Sequence, residues 1–164
     1  MWRPMTPTDL PHVIAVAGAV HPAYPEDAAI FAERLRLYPA GCLVCESAGS
    51  VVGYGLSHPW RAGAPPALNT LLGELPARAS TYYIHDIALL PEARGAGAGA
   101  AIVARLMGQA RAAGLATVSL VAVSGTVGFW RRFGFRAVDD AALAAKLRSY
   151  DAEACFMVCD LAPL

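Results

Sequence analysis

Residues 81–114 constrain this chain more than any other stretch. They read TYYIHDIALL, then PEA, then RGAGAG, then an alanine-rich segment with Ile102, Leu106 and Met107 on one helical stripe, closing at Gly114. The first run is apolar on both faces apart from His85 and Asp86, the pattern of a central strand covered on both sides. The last is built of good helix formers and ends on glycine, as helices often do. Between them a glycine-rich turn falls at a helix N-terminus, where unpaired N–H groups and the helix dipole converge to make an anion site.

The remaining chain alternates strands and helices without an internal repeat. A short strand is expected over residues 2–5, then a helix capped by Thr8 and ending near His21. A second helix is predicted to open at Pro25, with Glu26 and Asp27 in its first turn where carboxylates suit the dipole, and to stop before Pro39. Residues 42–48 and 51–57 read as a hairpin across a turn at Gly49 and Ser50. Residues 59–80 hold four prolines and no periodicity, and long loops in compact domains are often functional. After the central unit come a buried strand at 117–123, a short helix through GFWRR, a break at Gly134, an alanine-rich helix over 140–147 and a last strand at 154–161. This order implies an α/β or α+β fold around one mixed sheet. At 164 residues the chain is expected to be a single domain, 1–164.

Composition narrows the partners. Thirteen basic and thirteen acidic residues cancel, so charge gives no reason to expect nucleic acid or an anionic membrane. No apolar run approaches the ~18–20 residues of a membrane span, and the start MWRPMTPTDL lacks a signal-like core, so a cytoplasmic protein is expected. Cys42 and Cys45 form a CxxC spacing, but in a strand-like run residues three apart point to opposite faces. The four cysteines are therefore read as free thiols, with no metal site.

The glycine turn can be tested against phosphate ligands. A nucleoside triphosphate cradle needs Gly-Lys-Ser or Gly-Lys-Thr, and the only lysine is Lys146. Gly95, Gly97 and Ala100 satisfy GxGxxA, yet no acidic residue lies between Glu92 and Asp139 to hold a dinucleotide ribose, which disfavours a nicotinamide oxidoreductase. Six arginines occupy that interval, namely Arg94, Arg105, Arg111, Arg131, Arg132 and Arg136, and they favour a multiply anionic ligand.

Arg94-x-x-Gly97-x-Gly99 after IALLPEA, with a strand about twenty residues later and then FWRRFGF at 129–135, resembles the GCN5-related N-acetyltransferase (GNAT) family. The likeness covers residues 81–135 best, and the other elements fit the family's order. It implies a mostly antiparallel sheet of six to seven strands flanked by helices, with acetyl-CoA as co-substrate and no metal. It further implies that Arg94, Gly95, Ala96, Gly97, Ala98, Gly99 and Ala100 hold the coenzyme A pyrophosphate, and that Ile87, Ala88 and Leu89 offer main chain to the pantetheine arm. Ser124, Phe129 and Trp130 would complete the cofactor side.

The chemistry then demands a base. A primary amine with pKa near ~10.4 is under about 0.1% free base at neutral pH, so it must lose a proton before attacking a thioester. The resemblance puts that role at His85 and Asp86, where some members carry Glu-Asp. Adjacent strand residues face opposite ways, so the two are not expected to bond each other. The family's usual tyrosine acid is missing: Trp130 stands in its place, and an indole N–H cannot give up its proton at this pH. Ser124 and Tyr150 are the substitute acids. The reading is an N-acetyltransferase, monomer or homodimer, acting by direct transfer in a ternary complex on a primary amine of a small molecule or peptide. Acceptor choice is expected from residues 59–80 and the first two helices. The alternative is a non-catalytic acyl-CoA-binding sensor.

Overall fold

The computed structural model describes residues 1–162. Its strands are β1 (Trp2–Pro4), β2 (Cys42–Ser47), β3 (Ser50–Trp60), β4 (Thr81–Leu89), β5 (Thr117–Ala122), β6 (Arg136–Ala137) and β7 (Cys155–Asp160). They form one seven-stranded sheet in the order β1-β2-β3-β4-β5-β7-β6. The β4–β5 pair is parallel, whereas β1–β2, β2–β3, β5–β7 and β6–β7 are antiparallel. The helices are α1 (Leu10–Val20), α2 (Ala28–Leu37), α3 (Ala98–Ala112), α4 (Val127–Arg131) and α5 (Ala144–Arg148). The expected helix-flanked, mostly antiparallel sheet is the one that forms, and among the described residues no helix is long and apolar enough to cross a membrane. The chain divides into two compact units, one of Met1–His58 with Ile84–Leu106, the other of Pro59–Tyr83 with Met107 onward.

In the first unit, the apolar stripes of α1 and α2 and the sheet residues Val44, Tyr54, Leu56 and Ala88 close one core, with Val13, Val16, Phe31 and Leu35 from the helices. The start of α1 differs from expectation: Asp9, not Thr8, organises it by accepting the Thr6 N–H at 2.8 Å. Arg3 clamps the same carboxylate through two hydrogen bonds of 2.8 and 2.9 Å and holds its pKa well below the usual carboxylate range. Helix α2 begins three residues later than predicted. Asp27 is extended and its carbonyl accepts the Ile30 N–H at 2.9 Å, which leaves Pro25 and Glu26 in the connector. The hairpin turn sits at Ala48 and Gly49, with φ of 50° and 80°, because Ser50 already pairs with Ser47. Two residues of positive φ are what a tight hairpin of the primed type requires. Flanking Tyr54, Gly53 and Gly55 admit close neighbours: a Cβ on Gly53 would lie 2.7 Å from the Ala88 carbonyl oxygen, and one on Gly55 3.3 Å from Ile102.

In the second unit, Tyr82 and Tyr83 of β4 pair with Val118 and Ser119 of β5, and β5 runs against β7 over six residue pairs from Thr117–Asp160 to Ala122–Cys155. Strand β6 escaped prediction, since a two-residue strand is too short to carry an alternation. The irregular segment spans residues 61–80, because β3 continues through Trp60. Its neck is closed by the Ser80 N–H on the Trp60 carbonyl at 2.9 Å and the Ala62 N–H on the Ser80 hydroxyl at 2.8 Å. The four cysteines are free thiols, and burial pushes the Cys42 thiol up to about 12.

Candidate active site

The turn ahead of α3 carries the glycine-rich stretch that the sequence marks as an anion site. Gly95 and Gly97 adopt φ of +86° and +81°, a region that residues with a Cβ rarely enter. A Cβ at either position would meet nothing within 4 Å, so the glycines serve the backbone path rather than close packing. The Ala101 N–H bonds the Gly97 carbonyl at 3.0 Å, and the amides before it precede the helical ladder. Trp2 fixes this helix end by donating its indole N–H to the Ala98 carbonyl at 2.9 Å, and Arg105 donates to the Trp2 carbonyl at 3.3 Å. Exposed Arg94 turns back, its Nε donating to the Leu89 carbonyl at 3.0 Å. With Ala96, Gly99 and Ala100 these residues form one short arc of main chain at the positive end of a 15-residue helix.

Strand β4 presents its polar pair in two different settings. The His85 side chain is 1% exposed and the Glu26 side chain 6%, with His85 Nε2 2.7 Å from Glu26 Oε1. Facing a carboxylate oxygen, Nε2 carries a hydrogen and donates it. The His85 Nδ1 is buried without a hydrogen-bond partner among the described residues. The residue as a whole is nevertheless half-buried, so solvent reaches the main chain of β4 here. Ile87 and Leu89 are partly exposed on either side of buried Ala88.

Asp86 faces elsewhere, as strand alternation requires. Its Oδ1 lies 2.9 Å from His21 Nε2, and its Oδ2 accepts the hydroxyl of fully buried Tyr54. Burial pushes the Asp86 carboxyl up, but the His21 hydrogen bond and charge, the His85 charge and the Tyr54 hydroxyl outweigh it and leave its pKa below the ordinary value. Burial pulls His21 down, and Asp86, the Ile87 carbonyl and the Glu26 charge carry it above its ordinary value. Tyr54 is pushed well above its ordinary value by burial and by the Asp86 charge. These shifts bias the imidazole–carboxylate pair toward its charged form and the phenol toward its neutral one.

Asp86, His21, Tyr54 and Glu26 all line one cavity of about 330 Å³. Its other walls are Ile14, Ala17 and Gly18 of α1, Phe31 of α2, and Pro22, Tyr24 and Pro25 of the connector between the two helices. Every one of these residues belongs to the first unit.

The other predicted residues lie in the second unit. Ser124 is exposed, donates its hydroxyl to Glu153 at 2.7 Å and gives its N–H to Asp151 at 3.0 Å. Tyr150 donates its hydroxyl to the Pro66 carbonyl at 2.9 Å, tying the start of the long loop to the end of α5. Trp130 is buried among aromatic rings, with centroids 5.0 Å from Phe129 and 5.3 Å from Phe135, both edge-on.

Sequence reasoning missed His21, Glu26 and Tyr54 as site residues. Glu26 carries a signal only as an acid near a helix start, and His21 only as a helix end. Tyr54 is marked by the glycines on either side of it, which leave an aromatic ring between two points of close approach.

The chain matches a family model described as the acetyltransferase (GNAT) family over residues 9–135. Comparison with curated protein sequences returns no match. Among solved structures, the loading GNATL domain of CurA from Lyngbya majuscula superposes with a TM-score of 0.81 at 14% identity, over 98% of this chain and 96% of that one. The GphF GNAT-like decarboxylase in complex with isobutyryl-CoA gives 0.80 at 18% identity, over 99% and 100%. Naa20 from Chaetomium thermophilum in complex with a bisubstrate analogue gives 0.72 at 19% identity, over 98% and 86%. At these identities the likeness is one of fold.

Proposed function

Because the chain belongs to the GNAT acetyltransferase family, we propose that it is an acetyl-CoA-dependent N-acetyltransferase acting on a primary amine of a small molecule or peptide, by direct transfer in a ternary complex. One observation carries the reading: the positive-φ arc through Gly95 and Gly97, with its amides ahead of the α3 ladder, suits a pyrophosphate. Arg94, Ala96, Ala98, Gly99 and Ala100 complete that hold, the main chain of Ile87, Ala88 and Leu89 receives the amide-bearing arm, and Ser124, Phe129 and Trp130 are the further cofactor candidates that the family resemblance implies. Bound there, acetyl-CoA supplies an activated acyl carbonyl and a thiol leaving group with a pKa near ~8.5.

His85 is the base. Glu26 holds the Nε2–H, so the lone pair on Nδ1 is the acceptor for the proton that the ammonium must shed before its nitrogen bonds the acyl carbon. Asp86, held by His21 and Tyr54, supplies a fixed negative charge beside the acceptor. As the carbon–sulfur bond breaks, the departing sulfur takes a proton from Ser124, Tyr150 or water. Trp130 favours a second reading, a non-catalytic acyl-CoA sensor, because its indole cannot serve as that acid.

Thermal stabilisation by acetyl-CoA, CoA and NAD in parallel tests the ligand. A ligand at 100 times its Kd adds about 2.7 kcal/mol, so acetyl-CoA and CoA are expected to raise Tm and NAD to leave it unchanged. A shift with NAD alone overturns the reading. Thiol release across an amine panel then separates enzyme from sensor.

A further inference from the structure

The cavity beside α1 differs in character from the cradle at α3. It is walled by Ile14, Ala17, Phe31 and two prolines, and its ionisable lining is two carboxylates, Glu26 and Asp86, with one imidazole, His21, and two phenols. Among the described residues no lysine or arginine lines it. A ligand carboxylate or phosphate entering here would meet two carboxylates, and the one imidazole of the lining, His21, is already bonded to Asp86 at 2.9 Å. A volume of about 330 Å³ is at the small end of ligand pockets.

Gly18 adds an independent observation. It stands inside α1, where glycine costs about 1 kcal/mol relative to alanine. Neither usual reason for a helical glycine applies: its φ is not positive, and a Cβ there would meet nothing within 4 Å. What the missing side chain leaves is room in the cavity wall.

We infer that this cavity binds the acyl acceptor as a monoamine with a compact apolar body, its ammonium drawn in by the Glu26 and Asp86 carboxylates of the lining, and that Gly18 sets the size of body admitted. The inference rests on the acyl-transfer reading for the fate of the amine, and binding tests it separately. On the acyl-transfer reading the ammonium enters charged and sheds one proton before its nitrogen bonds the acyl carbon.

The experiment measures N-acetyl product by mass spectrometry at saturating acetyl-CoA, with phenethylamine and hexylamine against glutamate, spermidine and a peptide with an apolar N-terminal residue. The monoamines are expected to exceed the others at least tenfold in kcat/KM. Gly18→Leu is expected to raise KM for phenethylamine at least tenfold, leave KM for acetyl-CoA unchanged and not lower Tm. Gly108→Leu, placed in α3 with similarly open space and outside the cavity lining, should alter neither constant. Preference for glutamate, spermidine or the peptide overturns the inference, as does an unchanged phenethylamine KM in Gly18→Leu. If no amine is acetylated while acetyl-CoA binds, the acyl-transfer reading fails. Calorimetry of phenethylamine binding then decides the pocket alone: heat lost in Gly18→Leu supports it, and no heat with wild type overturns it.

Discussion

The first unit holds two imidazole–carboxylate pairs, and they are built for different purposes. His85 and Glu26 are nearly dry, with side chains 1% and 6% exposed, and leave one imidazole nitrogen unpartnered. His21 and Asp86 are 20% and 18% exposed, and Tyr54 occupies the second carboxylate oxygen. The first pair keeps a lone pair available in a place where water does not compete for it. The second balances one charge against another and commits every strong contact it makes. Similar residues thus leave one imidazole nitrogen open in one setting and tie up both carboxylate oxygens in the other, and the neighbours decide which.

The largest effect that could break this contrast is on turnover. His85→Gln should lower kcat by about 10²-fold or more, with the Kd for acetyl-CoA within about twofold of wild type, because general bases contribute roughly 10²–10⁴. Unchanged turnover would move the base elsewhere. Asp86→Asn should show instead as lost stability, about 3 kcal/mol in urea unfolding, since removing one partner strands the other's charge in a buried setting. Tyr54→Phe removes only a hydrogen bond to a charged acceptor and should cost about 2 kcal/mol with kcat changed far less than in His85→Gln.

The pH dependence sharpens the comparison further. Asp86 has its pKa lowered on folding, so its contribution is present above the ordinary value of 3.8 and is lost as pH falls through the folded value. His21 has its pKa raised, so its contribution is present below the ordinary value of 6.5 and is lost as pH rises through the folded value. The stability difference between wild type and His21→Ala should therefore be greatest between about pH 4 and 6.5 and shrink on both sides. A difference that grows steadily toward pH 9 would contradict an ion pair. The smallest effect is expected at Tyr150: Tyr150→Phe loses the bond to the Pro66 carbonyl, and kcat should fall by less than tenfold unless that phenol is the acid.

How much of this was legible in the sequence follows from contact distance along the chain. The cradle was readable because its parts are local: two glycines, a helix start and the strand before them lie within about twenty residues. Asp86 and His85 stood out as the only polar residues in an apolar strand, and alternation alone predicted that they would not bond each other. Their partners were not readable. Glu26 lies 59 residues from His85, His21 65 residues and Tyr54 32 residues from Asp86, and no local pattern ties any of these together. Glu26 reads locally as an acid in a helix's first turn, yet the helix starts at Ala28, after an extended Asp27 whose carbonyl accepts the Ile30 N–H. Propensity and periodicity read the elements; tertiary pairing chose which side chains became a site.

The central claim is that the chain moves an acyl group from coenzyme A to an amine, and the most direct measurement follows both products of one reaction. With acetyl-CoA and phenethylamine, free thiol and N-acetylphenethylamine should appear in equal amounts, and both should fall together in His85→Gln. Binding of acetyl-CoA without either product, across the whole amine panel, would contradict the claim and leave a sensor in its place.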